Sequence, residues 1–453
     1  MNRFLTRHLF APTDIASLVA FRVLFGAIML WETWRFMDAD RIYRYYVAPS
    51  FHFKYYGFTW VHPWPGNGMD WHFIGLGILS IFIMVGLWYR LSMVLFFFAF
   101  TYIFLLDQTQ YLNHFYLVCI ISFLLIFIPA HRSASIDAWW RPKIRSETVP
   151  AWALWLLLGQ MGVVYFYAAI AKMNWDWLQG EPMRIWLAER ENLTIVGRYF
   201  PVGRLFTEEL VVYAFSYGGL LFDLLVAPCM LWRRTRPYAF ACALFFHLTN
   251  SKLFGIGIFP WFSIAATLLF FPPSWPRRFF NWPRKQETPE LTEPTAIPWR
   301  RLTLTLLAIF FAIQILVPFR HLLYPGVVHW TEEGHRFSWH MKLRTKRARA
   351  QFIVTDPKTR RTWRVKNGEY LTRRQIRKMS QRPDMILQFA HHLADKYREM
   401  GHPDVEVRAQ VQSSLNGRKY QALIDPDANL AAEERNLRTA SWIMPLTEPL
   451  VVP

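Results

Sequence analysis

Up to residue 319 the chain is a succession of long apolar runs separated by short polar ones, and beyond it polar and apolar positions alternate. Apolar runs approaching twenty residues read as helices that cross a bilayer. Nine are predicted, over roughly 15–37, 73–88, 92–106, 112–129, 151–172, 209–232, 237–250, 254–271 and 302–319. Gly255, Gly257 and Pro260 fall where the seventh and eighth meet, so a break is expected there, with its freed backbone buried in protein or lining a cavity. The apolar run after Pro12-Thr13-Asp14 has no small-residue cleavage site. The basic start MNRFLTR is therefore expected to precede a first membrane helix that stays in place.

After residue 319 the periods change. ARAQFIVTDPKTRRTWRV is two alternating runs about Asp356-Pro357, a hairpin. DMILQFAHHLADKYREM has helical spacing, and DVEVRAQVQSSLNGRKYQALI reads as a second hairpin turning at Asn416-Gly417. The expected fold is a polytopic α-helical membrane protein of about nine transmembrane helices, residues 1–319, with a C-terminal α+β, β-rich extramembrane domain, residues 320–453.

Composition agrees: 53% of the 453 residues are hydrophobic and 22 are Trp, which is heavy for a soluble protein. The formal net charge of +19 would suggest nucleic acid in a soluble chain. Here loop cations that set orientation and touch anionic lipid account for much of it, so membrane lipid and no nucleic acid is expected as a partner. Arg3, Arg7, Arg90, Arg132, Arg141, Lys143, Arg145, Arg233, Arg234, Arg236 and the cluster from Arg277 to Arg301 all fall on the side of the N-terminus. That side reads as cytoplasmic, and an odd number of helices puts the C-terminal domain in the periplasm or a lumen. Cys119, Cys229 and Cys242 lie in apolar segments and read as small core residues. With no zinc-ligand spacing, no metal and no disulfide is expected. Phosphate-binding Gly-rich loops and the Gly-x-Ser-x-Gly elbow are also missing from the sequence.

Candidate chemistry comes from polar groups at helix ends. Lys172 closes the fifth predicted helix, Asn113 and His114 open the fourth, and His247 and Asn250 close the seventh. In the expected topology all lie toward the C-terminal domain, at the level of Asp107, Asp176, Glu208 and Glu209. Titratable groups gathered at one cleft are what acid–base chemistry requires. Each has a plainer reading. Lys172 can snorkel to the interface, the histidines can be packing residues, and Asn113 can cap a helix. Arg22 and Arg90 can anchor helices against backbone carbonyls or phospholipid, and Asp223, in mid-helix, is expected to pair with a buried donor. Asn192-Leu193-Thr194 matches a glycosylation acceptor, a pattern too common to use.

The same residues carry a family resemblance. YRLSMVLFFFAFTYIFLLDQTQYLNHFYL, VYFYAAIAKMNWDWLQGEPM, TEELVVYAFSYGGLLFDL and FFHLTNSKLFGIGIFPW with its following PPSWPRR resemble the membrane region of the vitamin K-dependent gamma-glutamyl carboxylase family and its bacterial homologues, the horizontally transferred transmembrane domain proteins. WTEEGHRFSWHMKLR and LRTASWIMPL look like the family's lumenal domain, and FHFKYYGF fits the prokaryotic branch. The resemblance implies a bacterial inner-membrane enzyme with a periplasmic C-terminal domain. It would couple oxygenation of reduced vitamin K, as phylloquinone or menaquinone hydroquinone, to γ-carboxylation of a Glu-containing peptide or protein, with O2 and CO2 as co-substrates and no metal. It implies Lys172 as the base that deprotonates the hydroquinone, with His114, Asn113 and His247 as further catalytic positions. Trp339, Met341, Asn250 and Trp175 are the implied cofactor- and substrate-binding residues. The animal lysine pair is reduced here, since Ala171 precedes Lys172, and no cysteine beyond Cys242 is available to bridge membrane and lumenal parts. His335 and Arg344 also depart from the animal pattern.

Elementary chemistry is consistent with those roles. A weakly acidic hydroquinone needs a neutral amine as base, and an apolar surround disfavours the lysine cation. Two other readings stand beside this one: a quinone epoxidase that carboxylates nothing, and a membrane transporter or lipid-binding protein using Lys172 and the broken helix as an anion or ion site. No inverted repeat supports the latter. Oligomeric state is not readable from the chain.

Overall fold

The computed structural model describes residues 7–193, 202–280, 282 and 297–451. Arg3, Thr194, Arg284 and Lys285, which entered the sequence reading, lie outside them. Among the described residues every predicted membrane segment coincides with a helix: α1 Ala16–Asp38, α2 Gly68–Val85, α3 Tyr89–Leu106, α4 Asn113–Phe127, α5 Trp152–Lys172, α6 Glu209–Leu231, α7 Arg236–Phe254, α8 Phe259–Thr267 and α9 Ile297–Leu316. Only α1, α2, α3, α5, α6 and the stretch 299–323 are long and apolar enough to cross a membrane. By that measure six of the nine predicted segments qualify among the described residues. At 1.5 Å per residue α4 extends about 22 Å, short of a hydrocarbon core of about 30 Å. The Phe259–Phe270 segment is shorter still, and α7 carries Arg236, His247 and Lys252.

Local chemistry sets the boundaries. The second segment stops at Val85, short of the expected residue 88, because Gly86 caps it in the left-handed region at φ 68°. α7 ends at Gly255 (φ 56°), and Gly257 (φ 64°) turns the chain into α8, which carries Pro260 in its first turn, so the expected break is present. In α1 and α5 67% of the apolar window is buried, against 11% in 299–323. The first two therefore form the centre of the bundle and the last lies on its lipid face. Arg22 is buried in α1, its two terminal nitrogens donating to the carbonyls of Ala130 (2.8 Å) and Ala134 (2.6 Å), and Arg90 donates to the carbonyl of Ile126. On the same side, β1 (Pro12–Asp14) pairs antiparallel with β2 (Thr148–Pro150). Arg277 staples the pair, reaching Asp14 at 2.8 Å and Glu147 at 2.7 Å.

The C-terminal region holds a four-stranded antiparallel sheet ordered β4-β3-β5-β6, from β3 Lys346–Asp356, β4 Arg361–Arg364, β5 Glu406–Leu415 and β6 Gln421–Ala422. Both expected hairpins are present. Asn416 and Gly417 both take positive φ (50° and 81°), as a tight hairpin turn demands. The central β3–β5 pairing, from Lys346↔Leu415 to Thr355↔Glu406, joins segments that the local patterns left separate. Alternate residues Phe352 and Val354 of β3, and Val407, Ala409 and Val411 of β5, form one buried face. Helix α11 (Pro383–Glu399) covers it with Ile386, Phe389, Ala390 and Leu393. Helix α10 (Arg373–Met379) begins with a capping box between Thr372 and Gln375.

Several contacts lock the sheet domain to the helices. Phe53, from the α1–α2 connection, is fully buried in the sheet domain's core. Past the end of α5, Asp176 receives both terminal nitrogens of Arg418 (2.6 and 2.7 Å) and the Asn416 amide (2.8 Å). Asp107 accepts from the Thr109 backbone (2.7 Å) and from Gln375 of α10 (3.2 Å), and burial pushes its carboxyl up to about 6. Glu209 is held by Arg184. These three carboxylates are thus structural. Cys119 is buried as expected of a core residue, whereas Cys229 is half-buried and Cys242 exposed.

Candidate active site

A cavity of about 1370 Å³ opens where the C-terminal ends of α5 and α7 and the N-terminal end of α4 meet the sheet domain. Lys172, Asn113, His114, His247 and Asn250 all line it, and so does Met341 from the sheet domain. Trp339 does not line it. That ring is buried against Tyr116, with centroids 5.0 Å apart, so it packs the wall from behind. Trp175 is 69% exposed and does not line the cavity.

Lys172 is not the solitary cation that its sequence context suggests. It occupies the last turn of α5, and its Nζ lies 2.5 Å from Asp223 Oδ2 of α6. Both side chains are buried, and the ammonium also donates to the Ala168 carbonyl at 3.3 Å and sits 5.4 Å above the Trp177 ring. Asp223 thus finds the buried donor it was expected to need. Trp177 is itself fixed reciprocally: its indole donates to the Ser216 carbonyl and the Ser216 hydroxyl donates to the Trp177 carbonyl, each at 2.8 Å. A turn following α5 therefore grips α6 one helical turn or two from the ion pair, which limits how Lys172 can move.

The histidines enter from the other side. His247 is fully buried, its Nε2 hydrogen-bonded to the Tyr165 hydroxyl at 3.1 Å, with Phe222, Phe246 and Phe259 around it. His247 Nδ1 has no protein partner. Phe259, the first residue of α8, lies 5.9 Å from the His114 ring and 6.1 Å from that of His247, and so separates them. A Cβ on Gly257 would stand 3.8 Å from His114 Nε2 and 3.4 Å from Arg35 of α1, ordinary contact distances, so the positive φ alone restricts that position. Arg35 is in turn paired with buried Glu32.

Asn113 is spent on architecture. It accepts from the Tyr111 hydroxyl (2.9 Å) and donates to the His340 carbonyl (3.0 Å), while Tyr111 accepts from the Phe337 backbone N–H (2.7 Å). The start of α4 is thereby tied to the segment 335–344. Across the cavity the wall changes character. Low on the α6–α7 side it is Leu221, Phe222, Leu225, Tyr238 and Phe245; on the sheet-domain side it is Lys342, Lys346, Arg374, Lys378 and Arg382. Sequence reading missed both Asp223 as the partner of Lys172 and this basic wall, whose members look like ordinary surface cations when taken one by one. Arg382 first, and burial second, push Lys378 down to about 6, and burial pushes Lys346 down to about 7.

A family model described as HTTM domain matches residues 10–275, and one described as vitamin K-dependent gamma-carboxylase, lumenal domain, matches residues 299–449. No solved structure matches the chain.

Proposed function

The chain belongs to the vitamin K-dependent gamma-glutamyl carboxylase family, and from that premise we propose that it oxygenates a reduced vitamin K in the cavity and uses that reaction to carboxylate peptide glutamate. At the coarser level it is a vitamin K-dependent carboxylase-like membrane protein. The observation that carries the finer reading is the buried Lys172–Asp223 pair in the wall of a large, aromatic cavity that both histidines also face.

The cavity fits the cofactor class. Its volume exceeds what a drug-sized ligand needs. Leu221, Phe222, Leu225 and Phe245 offer an apolar bed for a lipid-soluble ring and tail. His247 Nδ1 and the His114 ring offer polar contacts for ring oxygens. When bound, the reduced cofactor supplies, on reaction with O2, the strong base that frees a γ-carbon for CO2, and departs as epoxide.

The protein's own part begins with one proton. The pair holds the same net charge as ammonium with carboxylate or as amine with carboxylic acid, and in a site of low dielectric these forms are closer in energy than in water. Shifting the proton from Lys172 Nζ to Asp223 Oδ2 leaves a neutral amine, and Nζ then takes the proton of a hydroxyl presented in the cavity. Trp177 and the α6 backbone hold the amine in place. His114 and His247 stabilise oxyanion charge as hydrogen-bond donors, and Asn113 positions the start of α4. Asn250 and Met341 complete the wall. The basic side of the cavity favours an acidic peptide, which supports carboxylation over epoxidation without it. Residues 1–319 act as the catalytic membrane part and 320–453 as an extracytoplasmic domain, with the N-terminus cytoplasmic.

The test uses purified protein with reduced vitamin K, O2, labelled bicarbonate and a Glu-containing peptide. Epoxide together with labelled peptide is the expected result. Epoxide without label would reduce the activity to quinone epoxidation, and neither product would leave a binding or transport protein.

A further inference from the structure

Within the segment that pins Asn113, three histidines come together. His329, His335 and His340 are all buried, and one ring nitrogen from each lies within 4.8 Å of the others. Ring centroids are 5.1 Å apart for His329–His340, 5.3 Å for His335–His340 and 6.2 Å for His329–His335. Buried polar atoms ordinarily have partners. Yet among the described residues Nδ1 of His329 and Nδ1 of His340 have no hydrogen-bond partner. Two buried imidazole nitrogens without partners, a third imidazole within reach of them and a carboxylate at its edge form a ligand set still lacking its centre. The surrounding backbone shows a parallel anomaly. Glu332, Phe337, Trp339 and Lys342 all take positive φ, between 49° and 64°, a region costly for side-chain-bearing residues and held only where the surroundings over-determine it.

We propose that His329, His335 and His340 bind a divalent transition-metal ion, zinc being the one their chemistry fits, as a structural clamp on the segment 329–344. Imidazole donors suit zinc, and at Zn–N of about 2.0–2.1 Å tetrahedral donors stand about 3.4 Å apart. The observed separation closes to that with side-chain shifts of about 1 Å. Glu332 lies 3.8 Å from His335 Nδ1 and supplies the nearby negative charge that a dication needs among Arg344 and Lys346, both of which it contacts. Arg344, which donates to His335 Nε2, would turn onto Glu332, which it already holds, to free that ring for the ion. The ion would anchor the residue whose carbonyl holds Asn113, and with it the wall formed by Met341 to Arg344. The absence of any zinc spacing in the sequence does not conflict with this, because the three residues are joined by an irregular segment and not by a helix or hairpin register.

The experiment is made on tag-free, full-length protein in detergent, stripped with chelator and titrated with Co2+. A single equivalent is expected to give the intense visible bands of a four-coordinate ion, to be displaced by Zn2+, and to raise the melting temperature while slowing hydrogen exchange in 335–344. His329→Asn and His340→Asn are expected to weaken Co2+ binding by more than roughly 100-fold, beyond the loss typical of an outer-shell change. His391→Asn is expected to bind as wild type, since His391 lies on α11 outside the triad, with its Nε2 on the Glu433 carbonyl. If either triad variant does not fold, the wild-type melting shift and metal content decide the matter. Stripped wild type that gains neither bands nor stability, or triad variants that bind as well as it does, would overturn the proposal.

Discussion

At the scale of single residues the central object is a pair. Both members were conspicuous in the sequence, Lys172 at the end of an apolar run and Asp223 inside another, but nothing local joins side chains from different helices. Their contact appears only once α5 packs on α6. We expect Lys172→Met to reduce epoxide formation by roughly 10²–10⁴-fold, the usual worth of a general base, and to lower stability as well, because it leaves the buried Asp223 without its partner. Asp223→Asn is expected to lower the rate as well and to cost about 3–5 kcal/mol of stability, because it strands a buried cation. Product formation and thermal unfolding on the same samples check both. Lys378 provides the pH dependence. With its ammonium held down to about 6, it is mostly neutral at pH 7.5, and an acidic peptide beside it favours the charged form. Binding then takes up a proton, so affinity for a Glu-rich peptide should rise as the pH falls from 8 to 6, and Lys378→Gln should flatten that slope in a binding titration.

At the scale of elements, the helices were readable wherever apolar length spoke for itself, and the two hairpins wherever a turn signal sat between alternating runs. What escaped was set by tertiary context. The β3–β5 pairing unites segments about sixty residues apart, and the insertion of Phe53 beneath the sheet has no local signature. The α7–α8 break was legible from its glycines, and its use is now testable. Gly255 and Gly257 share positive φ, so alanine at either should cost about 1–2 kcal/mol. A Cβ on Gly255 meets nothing, whereas one on Gly257 reaches Arg35 and His114. Neither Cβ would displace a neighbour, so Gly257→Ala and Gly255→Ala should lose similar melting temperature and both keep activity. The interface between sheet domain and helices offers a second test. Arg418→Ala removes the two-pronged grip on Asp176 and should cost about 2–5 kcal/mol. Faster hydrogen exchange at 173–178 and 416–418 would report it.

At the scale of the whole molecule, function depends on a cavity with two unlike walls. One, on α6 and α7, is apolar and fits a ligand that arrives dissolved in lipid; the other, on the sheet domain, is cationic and fits one that arrives dissolved in water. On the proposed function the sheet domain stands on the side where the peptide is delivered, which the cations of the N-terminal side predict to be outside the cytoplasm. The charge count was legible in the sequence, but it rested on a parity of nine crossings, and only six of the helices have the length and apolar character to span. Orientation therefore needs its own measurement. A reporter active only outside the cytoplasm, fused after the sheet domain, should be active, and one fused to the N-terminal segment silent. In sealed inside-out vesicles an acidic peptide added to the medium should stay unmodified until the membrane is permeabilised, while a lipid-soluble quinol added the same way should be consumed at once. Carboxylation in the intact vesicles would place the basic wall on the cytoplasmic side and invert the topology.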